Sequence, residues 1–242
     1  MNIKIFNTPG EIAEAVSHRL LSAVKKGSQV NRKFNLAVSG GSTPKLLFNR
    51  LSEEPFQQGI PWEFLHIFWV DERCVPPGDD ESNYGMTKKI LLDKVNIPAE
   101  NIHRIRGEED PSDEVHRYAE DIKMHLTVKN NLPVFDWILL GMGSDGHTAS
   151  LFPNSDLIKT AGNICGTGVH PVSGQNRISL TYDIINNAAE ISFLVTGKDK
   201  AETLDQIRNK TPGSSKYPAA KINPVWGTLE WLIDKEIEIN PK

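Results

Sequence analysis

The amino-acid sequence predicts an α/β fold: a mostly parallel open sheet with helices on both faces, built as one domain over residues 1–242. Two observations lead to it. Apolar runs of strand length alternate with longer segments whose apolar residues recur at helical spacing. Several of those runs also end directly in glycine, serine or acidic residues, as strands do where an open α/β sheet presents its ligand site.

The elements follow in order. Ile3 to Phe6 is a short strand, and Pro9-Gly10-Glu11 opens a helix with Ile12, Ala15, Val16, Leu20 and Val24 at helical spacing. Phe34 to Val38 is a strand that runs into Ser39-Gly40-Gly41-Ser42-Thr43-Pro44 and a helix through Leu51. Leu65 to Val70 is a strand ending in Asp71-Glu72-Arg73. The polar loop Gly78 to Asn83 precedes a helix carrying Tyr84 and Met86 to Leu92. Pro111 to Val128 is a helix whose acidic first turn complements the helix dipole. Trp137 to Leu140 is a strand followed by Gly141-Met142-Gly143-Ser144-Asp145-Gly146-His147-Thr148. Arg177 to Thr181 and Ile191 to Thr196 are strands, Lys198 to Arg208 is a helix, and Trp226 to Ile233 is an element of open type. Thr211 to Ser215 is the most flexible-looking segment, and the glycine- and serine-containing loop 211–217 is a candidate for closing over a ligand.

Composition narrows the function. Hydrophobic residues make up 38% and charged residues 24% of the 242, the profile of a soluble globular chain with a substantial core. The net charge of -4 supplies no bulk basic field for nucleic acid, so any anion must be held by a local cluster. Cys74 and Cys165 form no C-x-x-C pair, which predicts a reduced, cytosolic protein. The first residues lack an apolar signal core, and no run approaches the ~18 apolar residues of a membrane span. The seven histidines are scattered with no H-E-x-x-H, so the sequence predicts no metal site.

Four constellations carry candidate chemistry. Ser39 to Pro44 joins a strand to a helix start, where Gly41, Ser42 and Thr43 offer free backbone N–H groups and hydroxyls to an anion. An ordinary N-cap with a glycine turn fits the same residues. In Asp71-Glu72-Arg73 the period of two points Asp71 and Arg73 one way and Glu72 the other. That pair suits a polyhydroxylated ligand or a structural ion pair. His147, two residues after Asp145 and set among glycines, is a candidate general base, with the acid to orient it. Arg177 and Lys200 are candidate anion ligands, Lys200 because cations at a helix start oppose the dipole unless an anion sits there. Gly141, Gly143 and Gly146 also spell the dinucleotide fingerprint, but Pro153 cuts short the helix it requires and no acid follows at the proper distance.

Together these motifs resemble the 6-phosphogluconolactonase family, over nearly the whole chain. They are N-L-A-V-S-G-G-S-T-P at 35–44, W-V-D-E-R at 69–73, E-S-N-Y-G at 81–85, G-M-G-S-D-G-H-T-A-S-L-F-P at 141–153, R-I-S-L-T at 177–181 and T-G-K-D-K-A at 196–201. The resemblance implies a Rossmann-like fold shared with glucosamine-6-phosphate deaminase, and hydrolysis of 6-phospho-D-glucono-1,5-lactone in the oxidative pentose phosphate pathway. It implies no cofactor and no metal, and a cytoplasmic enzyme, with a monomer as the working expectation. Carried over by motif, His147, Asp145, Asp71 and Arg73 would form the catalytic group. Gly41, Ser42, Thr43, Arg177 and Lys200 would bind the substrate and its phosphate. Ser144 departs from the proline common at that position. The deaminase is the alternative. Its pattern resembles G-H-I-A-F-N-E-P, and Phe152 here stands where that glutamate would be. A non-catalytic sugar-phosphate sensor is a third possibility, for which the sequence offers no DNA-reading segment.

Overall fold

A computed structural model describes residues 1–237. The chain runs β1 (Asn2–Phe6), α1 (Pro9–Ser28), β2 (Phe34–Val38), α2 (Ser42–Leu51), the short α3 (Phe56–Gly59), β3 (Leu65–Trp69), β4 (Asp71–Arg73), α4 (Asn83–Ile90) and β5 (Ile102–His103). It continues through α5 (Pro111–His125), a small hairpin of β6 (Val128–Lys129) and β7 (Leu132–Pro133), then β8 (Trp137–Leu140), β9 (Cys165–Val169) and β10 (Asn176–Leu180). It closes with α6 (Tyr182–Asn186), β11 (Glu190–Val195), α7 (Ala201–Asn209) and β12 (Thr228–Asp234).

Seven strands form one sheet in the order β1-β12-β11-β8-β2-β3-β5, and every pairing in it is parallel. Parallel strands are covered on both faces, and β2, β3 and β8 are buried at every residue. Trp69, Trp137 and Trp231 are the largest fully buried side chains. Trp231 stacks on Phe193 at 3.9 Å between ring centroids, and the Trp137 indole N–H donates to Ser192 Oγ at 2.9 Å. On α1, Ile12, Val16, Leu20 and Val24 are buried, as their spacing predicts, and Thr8 caps the helix by accepting from the Glu11 amide.

Several boundaries differ from expectation. The helix expected to reach Val128 stops at His125, and the segment expected as a helix from Lys198 begins as a 3-10 turn over Lys198–Lys200 before α7. The element near Trp226 is a strand, β12, paired in parallel between the edge strand β1 and β11. The larger difference is a second sheet. Asp71–Arg73 is no tail of β3 but a separate strand, and Arg177 lies on β10. With β9, which the sequence did not reveal, they form an antiparallel sheet in the order β4-β10-β9. Val70 is the hinge between the sheets: its N–H donates to Val38 O at 2.9 Å, while its carbonyl accepts from the Leu180 amide at 2.8 Å. Cys74 and Cys165 are both free thiols.

Candidate active site

Strand order places the site. The chain leaves β2 outward to β3 and β5, then returns to β8 on the other side of β2. Crossovers diverge at that point, so the carboxyl ends of β2 and β8 frame an open crevice. A cavity of about 240 Å³ lies there. Residues 39–44 beyond β2 and Gly141, Met142, Gly143 and His147 beyond β8 line it, together with Asp71, Arg73, Asn83, Thr196 and Lys200.

The β2 side supplies a helix terminus. Gly41 precedes α2 with φ +106, a conformation that favours glycine, and no side chain caps this helix. The first amides of α2 are therefore left to the cavity, with the positive end of the helix dipole behind them. Ser39 Oγ donates to Leu139 O at 2.9 Å, tying the two strand ends together. Thr43 Oγ1 and Thr196 Oγ1 share a hydrogen bond of 2.7 Å. Gly40 is required by contact: a Cβ there would stand 1.8 Å from Asn83 Oδ1.

β4 shows the alternation its sequence predicts. Asp71 and Arg73 both line the cavity, and Glu72 turns away into the protein. The Glu72 carboxylate accepts from the amides of Arg73, Asn83 and Tyr84 and from Ser82 Oγ, at 2.7 to 3.0 Å. Burial still outweighs those bonds and holds its carboxyl above the usual range. Glu72 thus binds β4 to the start of α4 and fixes its two neighbours. The Asp71 carboxylate accepts from Ser150 Oγ at 2.7 Å, and its carbonyl from Asn83 Nδ2 at 3.0 Å. Arg73 donates to Glu81 O at 2.5 Å.

Arg177 stands directly opposite Arg73 in the antiparallel sheet. It does not line the cavity itself but lies beside its Arg73 wall. Only 6% exposed, it leaves Nε and Nη1 buried without an acceptor. Burial first, and the Arg73 charge second, pull its guanidinium below the ordinary arginine value. Two cations side by side, one lacking acceptors, are an arrangement that an anion would complete.

The β8 side supplies the imidazole. Asp145 Oδ1 accepts from the His147 amide at 3.1 Å and lies 2.6 Å from His147 Nδ1. Burial works to raise the Asp145 carboxyl, but the bonds from His147 prevail and hold it below the usual value. An ionised carboxylate only accepts, so Nδ1 bears the proton, and in the neutral imidazole Nε2 keeps its lone pair. Asp145 stands behind the ring and does not line the cavity. The loop is closed by Gly143 N donating to His147 O at 3.0 Å and by Gly146, at φ +77, whose carbonyl accepts from the Ala219 amide. Tyr217, 8% exposed, packs against Gly146, so the 211–217 segment is anchored to this loop at that residue. The Phe152 ring lies 4.9 Å from the His147 ring. No helix follows Gly146 as a dinucleotide fold requires.

On the remaining wall, Lys200 lines the cavity and pairs with Asp199 at 2.7 Å, and Lys198 does not reach it. Of the predicted residues, Gly41, Ser42, Thr43, Asp71, Arg73, His147 and Lys200 meet in one cavity, with Asp145 and Arg177 one layer behind. Sequence reasoning did not single out Asn83, Thr196 or Ser150. It also missed His170, whose ring packs on Phe152 at 5.1 Å and whose basicity is reduced by burial and then by Arg177. The S-N-Y turn before α4 was the available signal for Asn83; His170 had none.

Comparison with known proteins agrees with this architecture. Residues 7–231 match the profile of the family described as glucosamine-6-phosphate isomerases/6-phosphogluconolactonase. The 6-phosphogluconolactonase of Haemophilus influenzae is 49% identical over 208 residues, 86% of this chain and 88% of its own. That of Aggregatibacter actinomycetemcomitans is 44% identical over 236 residues, 98% of each chain. The solved 6-phosphogluconolactonase of Trypanosoma brucei superposes with a TM-score of 0.85 at 30% identity, covering 98% of this chain and 97% of that one. A monomeric glucosamine-6-phosphate deaminase superposes with a TM-score of 0.81 at 16% identity, covering 98% of each chain, which shows the shared fold alone. With a profile match over most of its length and relatives this similar, the chain belongs to the glucosamine-6-phosphate isomerase/6-phosphogluconolactonase family.

Proposed function

We propose that this protein hydrolyses 6-phospho-D-glucono-1,5-lactone to 6-phospho-D-gluconate, with His147 as general base. The observation that supports it most is the orientation of one imidazole. His147 Nδ1 is tied to ionised Asp145, so the free Nε2 belongs to a ring lining a cavity rich in anion-binding groups. Water held by Nε2 attacks C1 of the lactone and gives its proton to the imidazole. The tetrahedral oxyanion takes hydrogen bonds from Arg73 or from amides of the glycine loop. As the C1–O5 bond breaks, the imidazolium returns the proton to the ring oxygen, leaving a neutral histidine and an open-chain carboxylic acid, which loses its proton to solvent. Asp71 and Arg73 orient the sugar. The uncapped start of α2 at Ser42 and Thr43, Lys200 and the acceptor-poor Arg177 hold the phosphate.

Phe152 separates this chemistry from deamination. It packs against His147 where the deaminase pattern has a glutamate, and a phenyl ring neither accepts nor relays a proton. The test is a coupled assay with freshly generated lactone, read through 6-phosphogluconate dehydrogenase against a no-enzyme blank. General-base help is worth about 10²–10⁴ in rate, so His147→Ala should lose most of the enzymatic excess and keep substrate binding. Wild-type turnover in that variant removes His147 from the reaction. No excess rate with the wild-type protein, together with ammonia release from glucosamine 6-phosphate, would establish the deaminase instead.

A further inference from the structure

Three histidines scattered in the sequence meet in space far from the cavity. His66 is on β3, His103 on β5 and His125 in the last turn of α5, and one ring nitrogen from each lies within 4.8 Å of the other two. His66 sits near the amino end of β3, whereas the cavity lies beyond the carboxyl end. We propose that His66, His103 and His125 form a binding site for a divalent cation of the zinc class.

The surrounding hydrogen bonds already orient two of the rings as ligands. Asp121 Oδ1 lies 2.9 Å from His103 Nδ1, and the Asp121 carbonyl lies 2.8 Å from His125 Nδ1. Both oxygens only accept, so both Nδ1 atoms carry the proton, and in the neutral rings both Nε2 atoms keep a lone pair. Asp121 is in turn held by Arg117 at 3.2 Å. A carboxylate or carbonyl behind a histidine is the usual outer shell of a metal-bound imidazole.

His66 completes the set. Its Nδ1 lies 2.8 Å from His103 Nε2, which as an acceptor makes His66 the donor. Two nitrogens on one tetrahedral zinc, bonded at about 2.0–2.1 Å, stand roughly 3.3 Å apart, so a cation would replace this hydrogen bond after a shift of about half an ångström. Ligation moves the His66 proton from Nδ1 to Nε2, with no net proton released. His66 Nε2 has no partner, so no neighbour opposes that change of tautomer. Three protein ligands leave a fourth position for water, and His125, with 32% of its side chain exposed, opens the site to solvent. Three imidazoles without carboxylate in the inner shell favour zinc, copper or nickel over magnesium and calcium. A bound cation would clamp the sheet edge to α5.

The test uses full-length protein freed of metal by chelator dialysis and titrated with Co²⁺, whose four-coordinate complexes absorb strongly in the visible. One equivalent should produce that absorption, and Zn²⁺ should displace it. His125→Ala, on an exposed helix turn, should keep its fold and lactonase activity yet lose the signal and any Zn²⁺-dependent rise in Tm. Asp121→Asn should weaken binding about 10–100-fold. His147→Ala should leave it unchanged, separating this site from the cavity. Absence of stoichiometric binding, or undiminished binding in His125→Ala, overturns the proposal.

Discussion

Gly143→Ala tests the proposed base without touching its chemistry. The methyl group would stand 2.3 Å from both His147 Cε1 and Nδ1 and 2.7 Å from Asp145 Oδ1. Ordinary van der Waals contact begins near 3.4 Å, so the imidazole must retreat by about 1 Å. Gly143 does not have a positive φ, so alanine fits its backbone, and the atoms displaced are side-chain ends. The fold should therefore survive, with the substitution itself adding about 0.4–1 kcal/mol of stability by lowering the entropy of the unfolded chain. Catalysis should not. A misplacement of about 1 Å costs on the order of 10² in rate, or roughly 2.7 kcal/mol of barrier. The coupled lactonase assay should show kcat reduced about a hundredfold, KM little changed and Tm within a few degrees of wild type. Gly141→Ala is the control, because nothing lies within 4 Å of its methyl group. Any loss there should fall on KM, through the lined cavity, and spare kcat. Wild-type kcat in Gly143→Ala would refute the placement of the reacting nitrogen.

Two more predictions follow from the same geometry. Arg177→Met keeps the side-chain volume and removes a buried cation that repels Arg73. Stability measured by urea titration should hold or rise, while KM rises about tenfold or more; an unchanged KM would take Arg177 out of phosphate binding. Asp145→Asn replaces an acceptor with a group able to donate, which frees His147 to adopt the wrong tautomer. It should lower kcat by at least about tenfold with KM retained. The lowered Asp145 carboxyl also sets a sign for stability. Its contribution is fully present above the unfolded value of 3.8 and is lost as pH falls below it, so acid unfolding of Asp145→Asn should lack that part of the slope. Identical slopes in the two proteins would contradict the pairing.

The parts of the site that lie on contiguous sequence were legible, because the chemistry there is local. A glycine before a helix leaves amides free, alternation on a strand splits Asp71 and Arg73 from Glu72, and an acid two residues before a histidine can reach its Nδ1. The second sheet was not legible. Cys165-Gly166-Thr167-Gly168-Val169 contains two glycines and has little strand preference of its own. It is a strand because β10 pairs with it, and the end of the Leu157 side chain packs into the space that Gly166 leaves, 2.5 Å from where a Cβ would stand. Arg177 was picked out by its charge and motif, but its place opposite Arg73, without an acceptor, depends on that pairing.

The sequence by itself determined the parallel α/β architecture, the turns that end its strands and the His147–Asp145 pair, since periodicity, glycine placement and short spacing all act within a few residues. Tertiary structure alone decided that β2 and β8 lie side by side, and so that residues about a hundred positions apart share one cavity. It also decided that His66, His103 and His125, scattered in the chain and without a metal-ligand spacing, converge at another edge of the sheet. Strand order is set by how buried faces pack and how crossovers return, and linear spacing does not record either.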